Sequence, residues 1–159
     1  MQFENRMMRC AFDAATRSDD PKTKVGCVLV SRFKDKGEIV GVGTNVFPPG
    51  MARKVDVDDK LDKNKYIVHA EISAILNFTG RFVNTLECYV THAPCSNCAK
   101  TLKAFGVRTV YYAQVHKNSD LEACEHLGLE TFHLRQCKQE LPELVKLADL
   151  QMRFDIDNP

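Results

Sequence analysis

The chain has 159 residues, 44% apolar and 27% charged, with 22 Lys and Arg against 21 Asp and Glu for a formal charge of +1. That length suits one domain with a real core and is short for two, so a single domain over residues 1–159 is expected. The near-zero charge argues against the basic stripe that gripping a long nucleic acid requires, and no stretch approaches the roughly 20 apolar residues of a membrane span.

In chain order, "FENRMMRCAFDAATR" (3–17) places apolar side chains at 3, 7, 8, 11, 14 and 15, which is helical spacing. "KVGCVLVS" (24–31) and "IVGVGTN" (39–45) read as two strands joined through the turn "FKDKGE", a hairpin. Residues 46–65 hold two prolines, a glycine and dense mixed charge, and read as a long surface loop with room for a helical turn. "HAEISAILNF" is a helix, "LECYVTH" (86–92) a strand, and "SNCAKTLKAFG" (96–106) a helix stopped by Gly106. "VRTVYYA" (107–113) is a strand, "SDLEACEHLG" (119–128) a helix with a Ser or Asp cap, and "LETFHL" (129–134) a fifth strand. "QELPELVKLADLQ" (139–151) is a last helix with Pro142 in its first turn. Strands separated by helices imply parallel crossovers. The expected class is α/β: a three-layer αβα sandwich on a five-stranded mixed sheet, one antiparallel hairpin and then three parallel strands. The helix at 119–127 is what makes the last two strands parallel.

Cysteine falls at 10, 27, 88, 95, 98, 124 and 137, an odd number, and the opening "MQFENRMMRC" has no apolar signal core. The expectation is a reducing cytosol, with buried thiols and a metal site rather than a disulfide framework. Cys95 and Cys98 lie three apart at a helix start, so both sulfurs share one face, half of a zinc site. The other cysteines are isolated, so a histidine is the natural third ligand, and three protein ligands with one open position is the catalytic pattern. A dithiol redox motif is the rival for Cys-x-x-Cys; His69 and Glu71 one strand upstream oppose it. Mid-helix these two would point apart, but in a first turn both lean toward the N-terminal tip. His69 then binds metal while Glu71 reaches the water on it. Zinc lowers the pKa of bound water from about 15.7 to about 7, and a neighbouring carboxylate moves the protons. His-x-Glu followed by Pro-Cys-x-x-Cys is the pattern of zinc-dependent base deamination.

With "SDDPKTKVGCVLVS", "IVGVGTNVFPPG", "NKYIVHAEISAILN" and "CYVTHAPCSNCAKTLKAFGVRTVYY" in order, the chain up to about residue 115 resembles the cytidine and deoxycytidylate deaminase superfamily, most of all its dCMP-deaminating branch. The resemblance implies a cytidine deaminase-like fold and hydrolysis of dCMP to dUMP and ammonia, supplying thymidylate synthesis. It implies Zn2+ on His69, Cys95 and Cys98, Glu71 as proton shuttle, and a homo-oligomer, often a hexamer. It also implies Asn45 on the nucleotide sugar, where a plain turn residue is the alternative, and the Ala70 backbone against the base. For phosphate, Lys24, His116 and Lys117 are candidates, each with a solvated surface charge as its ordinary alternative. Tyr112 is a candidate to flank the base, with a core role as its alternative. The family's G-Y-N-G is "GTNV" here. Regulated members use that loop in sensing dCTP and dTTP, and Val46 does not readily take positive φ, so the loop path is expected to differ. His92, two residues before Pro94, is read as tuning the pocket, accommodating a larger base substituent, or packing.

Overall fold

The computed structural model describes residues 2–51, 61–80 and 85–134; the helix expected over 139–151, and Cys137, lie outside them. Helix α1 (Gln2–Ala15) leads into a hairpin of β1 (Gly26–Phe33) and β2 (Lys36–Thr44). There follow α2 (Lys63–Tyr66), α3 (Ala70–Leu76), β3 (Thr85–His92), α4 (Ser96–Phe105), β4 (Val107–Gln114), α5 (Leu121–His126) and β5 (Glu130–His133). The strands form one sheet in the order β2-β1-β3-β4-β5. β1 is antiparallel to β2 and to β3, while β3, β4 and β5 run parallel.

Local chemistry sets the boundaries. The hairpin is tighter than its composition suggests: Phe33 pairs with Lys36, leaving Lys34 and Asp35 as a two-residue loop. Lys34 sits at φ 52°, the left-handed turn conformation that matches strand twist. The polar residues Lys36, Gly37 and Glu38 thus belong to β2 because ladder hydrogen bonds need only backbone. α4 ends at Gly106, whose φ of 108° lets its N–H close on the carbonyls of Leu102 and Lys103. α5 starts where the Asp120 carboxylate accepts the Ala123 N–H at 2.9 Å.

β1 is buried on both faces, and its side chains alternate between two cores. Val28 and Val30 pack with Met8 and Ala11 of α1 and with Tyr89. Cys27 and Leu29 pack with Ala70 and Ala74 of α3 and with Ala99 and Leu102 of α4. On the α1 side an aromatic row crosses three strands: Tyr89 stacks on Tyr111 at 4.6 Å between centroids, and Tyr111 on Phe132 at 5.3 Å.

The topology gathers loops at one sheet edge. Because β1 is antiparallel to both neighbours, its start, the end of β2 and the end of β3 lie together: Gly26 pairs with Thr44, and Cys27 with Val90. β4 is parallel to β3, so Gln114 ends beside His92. The segments after α1, β2, β3 and β4 therefore meet at this edge, where α3 and α4 also begin.

Candidate functional site

His69 and Cys95 occupy equivalent places, each the N-cap of its helix with extended backbone (φ −66°, ψ 153°; φ −77°, ψ 169°). Each cap carbonyl accepts the first helical bond at 2.9 Å, from Ser73 N–H and Ala99 N–H. Neither side chain caps its own helix, the usual task at this position, so both are left to turn toward a common point. Cys98, one turn into α4, completes the group: the ligand atoms of His69, Cys95 and Cys98 lie within 4.8 Å of one another.

The spacing suits zinc. Bonds of about 2.3 Å to sulfur and about 2.0 Å to nitrogen at a tetrahedral angle put sulfur and nitrogen roughly 3.5 Å apart. Here His69 Nδ1 is 3.6 Å from Cys95 Sγ and 3.3 Å from Cys98 Sγ. The protonation pattern of the metal-free chain also fits. Hydrogen bonds from Cys98 and His69 pull the Cys95 thiol down to about 3. Cys98, hydrogen-bonded to Cys95 and then desolvated, is pushed far up. His69 is raised by its bond to Cys95, with burial opposing. Two sulfurs and an imidazole nitrogen grouped within 4.8 Å are donors that a divalent cation would balance.

Glu71 follows within the first turn of α3 and is only 4% exposed. Burial raises its pKa from the ordinary carboxylate value, against the lowering effects of backbone hydrogen bonding and His69. It opens onto a cavity of about 530 Å³, ample for a small ligand. The wall contains Asn45, Ala70, His92, His116 and Lys117, all raised as candidates from the sequence, and also Asp20, Lys22, Lys63 and Asn64. Lys22, Lys63 and Lys117 share this wall with the carboxyls of Asp20 and Glu71, and Lys63 is paired with Asp20.

The structure places two candidates off this wall. The Lys24 ammonium donates to the Ser18 carbonyl at 2.8 Å. Tyr112 packs against the α3–α4 core and stacks on His133 at 5.1 Å. Asn45 is on the wall, but most of its amide is engaged. Its carbonyl oxygen accepts from Ser18 Oγ and from Val25 N–H at 2.9 Å, and its nitrogen donates to Thr23 O at 2.7 Å. Val46 exchanges backbone hydrogen bonds with Val68 at 3.0 and 2.7 Å. The "GTNV" loop thus carries Val46 in an antiparallel bridge to Val68, as suits valine, and braces the residue before His69. The turn at 116–119 is fixed to the cysteine loop through Ser119 Oγ on Ala93 O at 2.7 Å and Asp120 N–H on Pro94 O at 2.8 Å.

Sequence reasoning missed Asp20. Its carboxylate accepts Lys22 N–H at 2.8 Å and Thr23 N–H at 3.1 Å, and pairs with Lys63 Nζ at 2.8 Å. "DP" before a strand is the available signal, a turn in which Asp bonds its own backbone two residues on. Burial opposes ionisation of Asp20, but Lys63 and the two N–H groups outweigh it and hold the carboxyl below its usual range. The unfolded carboxyl titrates at about 3.9. This contribution to stability is therefore full above that value and lost as pH falls through the lower folded value. Asp20→Asn is expected to lower the melting temperature at pH 7, with the difference from wild type narrowing below about pH 4, as melts across pH will check.

Residues 1–114 match the family described as the cytidine and deoxycytidylate deaminase zinc-binding region. The chain is 42% identical over 118 residues to a probable deoxycytidylate deaminase of Caenorhabditis elegans, covering 72% of this chain and 58% of that protein. It is 34% identical over 118 residues to the deoxycytidylate deaminase of Homo sapiens, covering 70% and 65%. The chain thus spans less than two thirds of the length of these curated relatives. The crystal structure of dCMP deaminase from the cyanophage S-TIM5 in apo form superposes with a TM-score of 0.65 at 25% identity, over 82% of this chain and 95% of that one. In complex with dCMP and dUMP, the same phage enzyme gives a TM-score of 0.68 at 23% identity, over 84% and 97%, a likeness of fold.

Proposed function

Since this chain belongs to the cytidine and deoxycytidylate deaminase family, we propose that it converts dCMP to dUMP and ammonia by hydrolysis. One observation carries the reading: His69, Cys95 and Cys98 converge beside the buried Glu71 carboxyl at a cavity edged with lysines. When bound by the three ligands, zinc supplies a water acidified to near-neutral pKa. Glu71 takes a proton from the attacking water as its oxygen bonds to C4 of the cytosine ring, and hands that proton to N3. A second proton passes through Glu71 to the 4-amino group, the C4–N bond breaks, and ammonia leaves a uracil carbonyl behind. Burial keeps the Glu71 carboxyl basic enough to hold each proton in turn.

The remaining wall supplies selection. The Ala70 backbone abuts the base. Asn45 keeps one amide hydrogen for a sugar hydroxyl. Lys22, His116 and Lys117 face the monophosphate dianion, to which they give charge-assisted hydrogen bonds. On this reading the product feeds thymidylate synthesis in the cytoplasm, the chain assembles as a homo-oligomer, a hexamer, and dCTP and dTTP act as effectors.

Zinc-loaded protein is expected to release ammonia from dCMP with a kcat/KM roughly a hundredfold above that for cytidine, which lacks the phosphate the wall is built to meet. Chelation abolishes turnover and added zinc restores it. The decisive panel holds dCMP, 5-methyl-dCMP, dCTP, cytidine and guanine, with and without dCTP and dTTP as effectors. Turnover of guanine or free cytidine, with dCMP ignored, overturns the assignment.

A further inference from the structure

One segment of the cavity wall, α2, is held to the molecule by few ties among the described residues. It has four residues, none of them buried. Its C-terminal end is secured, since Ile67 N–H bonds Lys63 O at 2.9 Å and Val68 then pairs with Val46 ahead of His69. At its N-terminal end, among the described residues, Asp62 makes a local cap, on Asn64 N–H at 3.0 Å. Among the described residues, the polar tie from α2 to the rest of the molecule is Lys63 Nζ on Asp20 Oδ1 at 2.8 Å.

That tie is well built. The Asp20 side chain is 7% exposed and that of Lys63 24%, so water and salt screen the pair less than one on the open surface. The carboxylate is also fixed independently of the lysine, by the N–H groups of Lys22 and Thr23. Both residues line the cavity, as do Asn64 within the clasped turn and Ile67 at its C-terminal end.

We infer that the Lys63–Asp20 ion pair is a clasp that holds α2 in place as a wall for the nucleotide, which makes Lys63 and Asp20 positioning residues of the proposed deamination. The kinetic part of this inference rests on the dCMP reading above; the clasp itself does not. The competing role is direct: Lys63 leaves Asp20 and donates to the substrate phosphate.

Asp20→Asn separates the two. Asparagine keeps an oxygen for the Lys22 and Thr23 N–H groups and removes only the charge that holds Lys63. Lys63→Met keeps most of the stem and removes the ammonium. In the free zinc protein, both variants are expected to raise amide exchange at residues 65–67 by roughly tenfold. With dCMP, both raise KM about tenfold with kcat within about twofold. The double variant is no worse than either single one, because each breaks the same contact. Lys63→Arg restores most of the binding. An impaired Lys63→Met beside a wild-type Asp20→Asn overturns the clasp in favour of direct contact, as does unchanged exchange in both. Raised exchange with unchanged KM overturns the positioning role. Raised exchange in a protein whose wild type ignores dCMP supports the clasp and counts against the deaminase reading alone.

Discussion

Glu71→Gln is expected to cut dCMP turnover by roughly 10³-fold, inside the range of about 10²–10⁴ that a positioned acid–base group contributes, while zinc content stays at that of wild type. The residue has the same shape and is not among the three clustered ligands, so the metal donors keep their places. Glutamine cannot take a proton from water, so the loss falls on kcat. Because burial penalises the carboxylate, the metal-free variant should melt no lower than the metal-free wild type. Ammonia release and elemental analysis on one preparation check both halves. A variant that keeps zinc and turns over near the wild-type rate would remove Glu71 from the mechanism.

Gly43→Ala is expected to be the most damaging single methyl group in the catalytic half of the molecule. A Cβ there would lie 2.2 Å from the Ala74 nitrogen and 2.3 Å from the Ala70 carbonyl oxygen. Both are backbone atoms of α3 and neither can swing aside, so the helix must lift off the sheet. Overpacking of this kind costs about 3 kcal/mol or more, or a melting temperature lower by roughly 6–12 °C at this chain length. Turnover should fall as well, because α3 carries Glu71 and begins at His69. Gly50→Ala is the contrast: nothing among the described residues lies within 4 Å, and the cost there is that of a φ of 82°, about 1 kcal/mol. Equal melting temperatures for the two variants would mean that α3 is free to shift.

The fold and the metal ligands were readable in the residues because both rest on short-range pattern. Helices alternating with strands after residue 68 impose parallel crossovers, and β3-β4-β5 follow that rule. Cys95 and Cys98 are one helical turn apart, and His69 and Glu71 share one first turn, so spacing alone places them. The wall was less legible, for physical reasons. Asp20 and Lys63 are 43 positions apart, and nothing local announces that a lysine in a charged loop crosses to a buried carboxylate. Lys24 has the right charge in the right loop, but its side chain closes on Ser18 O, and Lys22 two residues earlier is the one on the wall. Tyr112 lies in the strand that ends at the site, yet alternation along β4 sends its ring into the core under α3 and α4. For Asn45 the structural reading is the one the hydrogen bonds describe, since its amide ties Ser18, Thr23 and Val25 to the end of β2.

The three metal donors ride on two helix starts pressed against the sheet, whereas the surrounding contacts arrive on separate connections after α1, β2 and β4. Substitutions at the cavity-lining side chains of these connections, apart from the bonds that brace Val68 and Ala93, can retune which ring, sugar or charge is admitted while the reactive centre keeps its place. Preference for a new substrate is therefore expected to evolve in this scaffold by exchange of rim segments, with the inner machinery inherited intact.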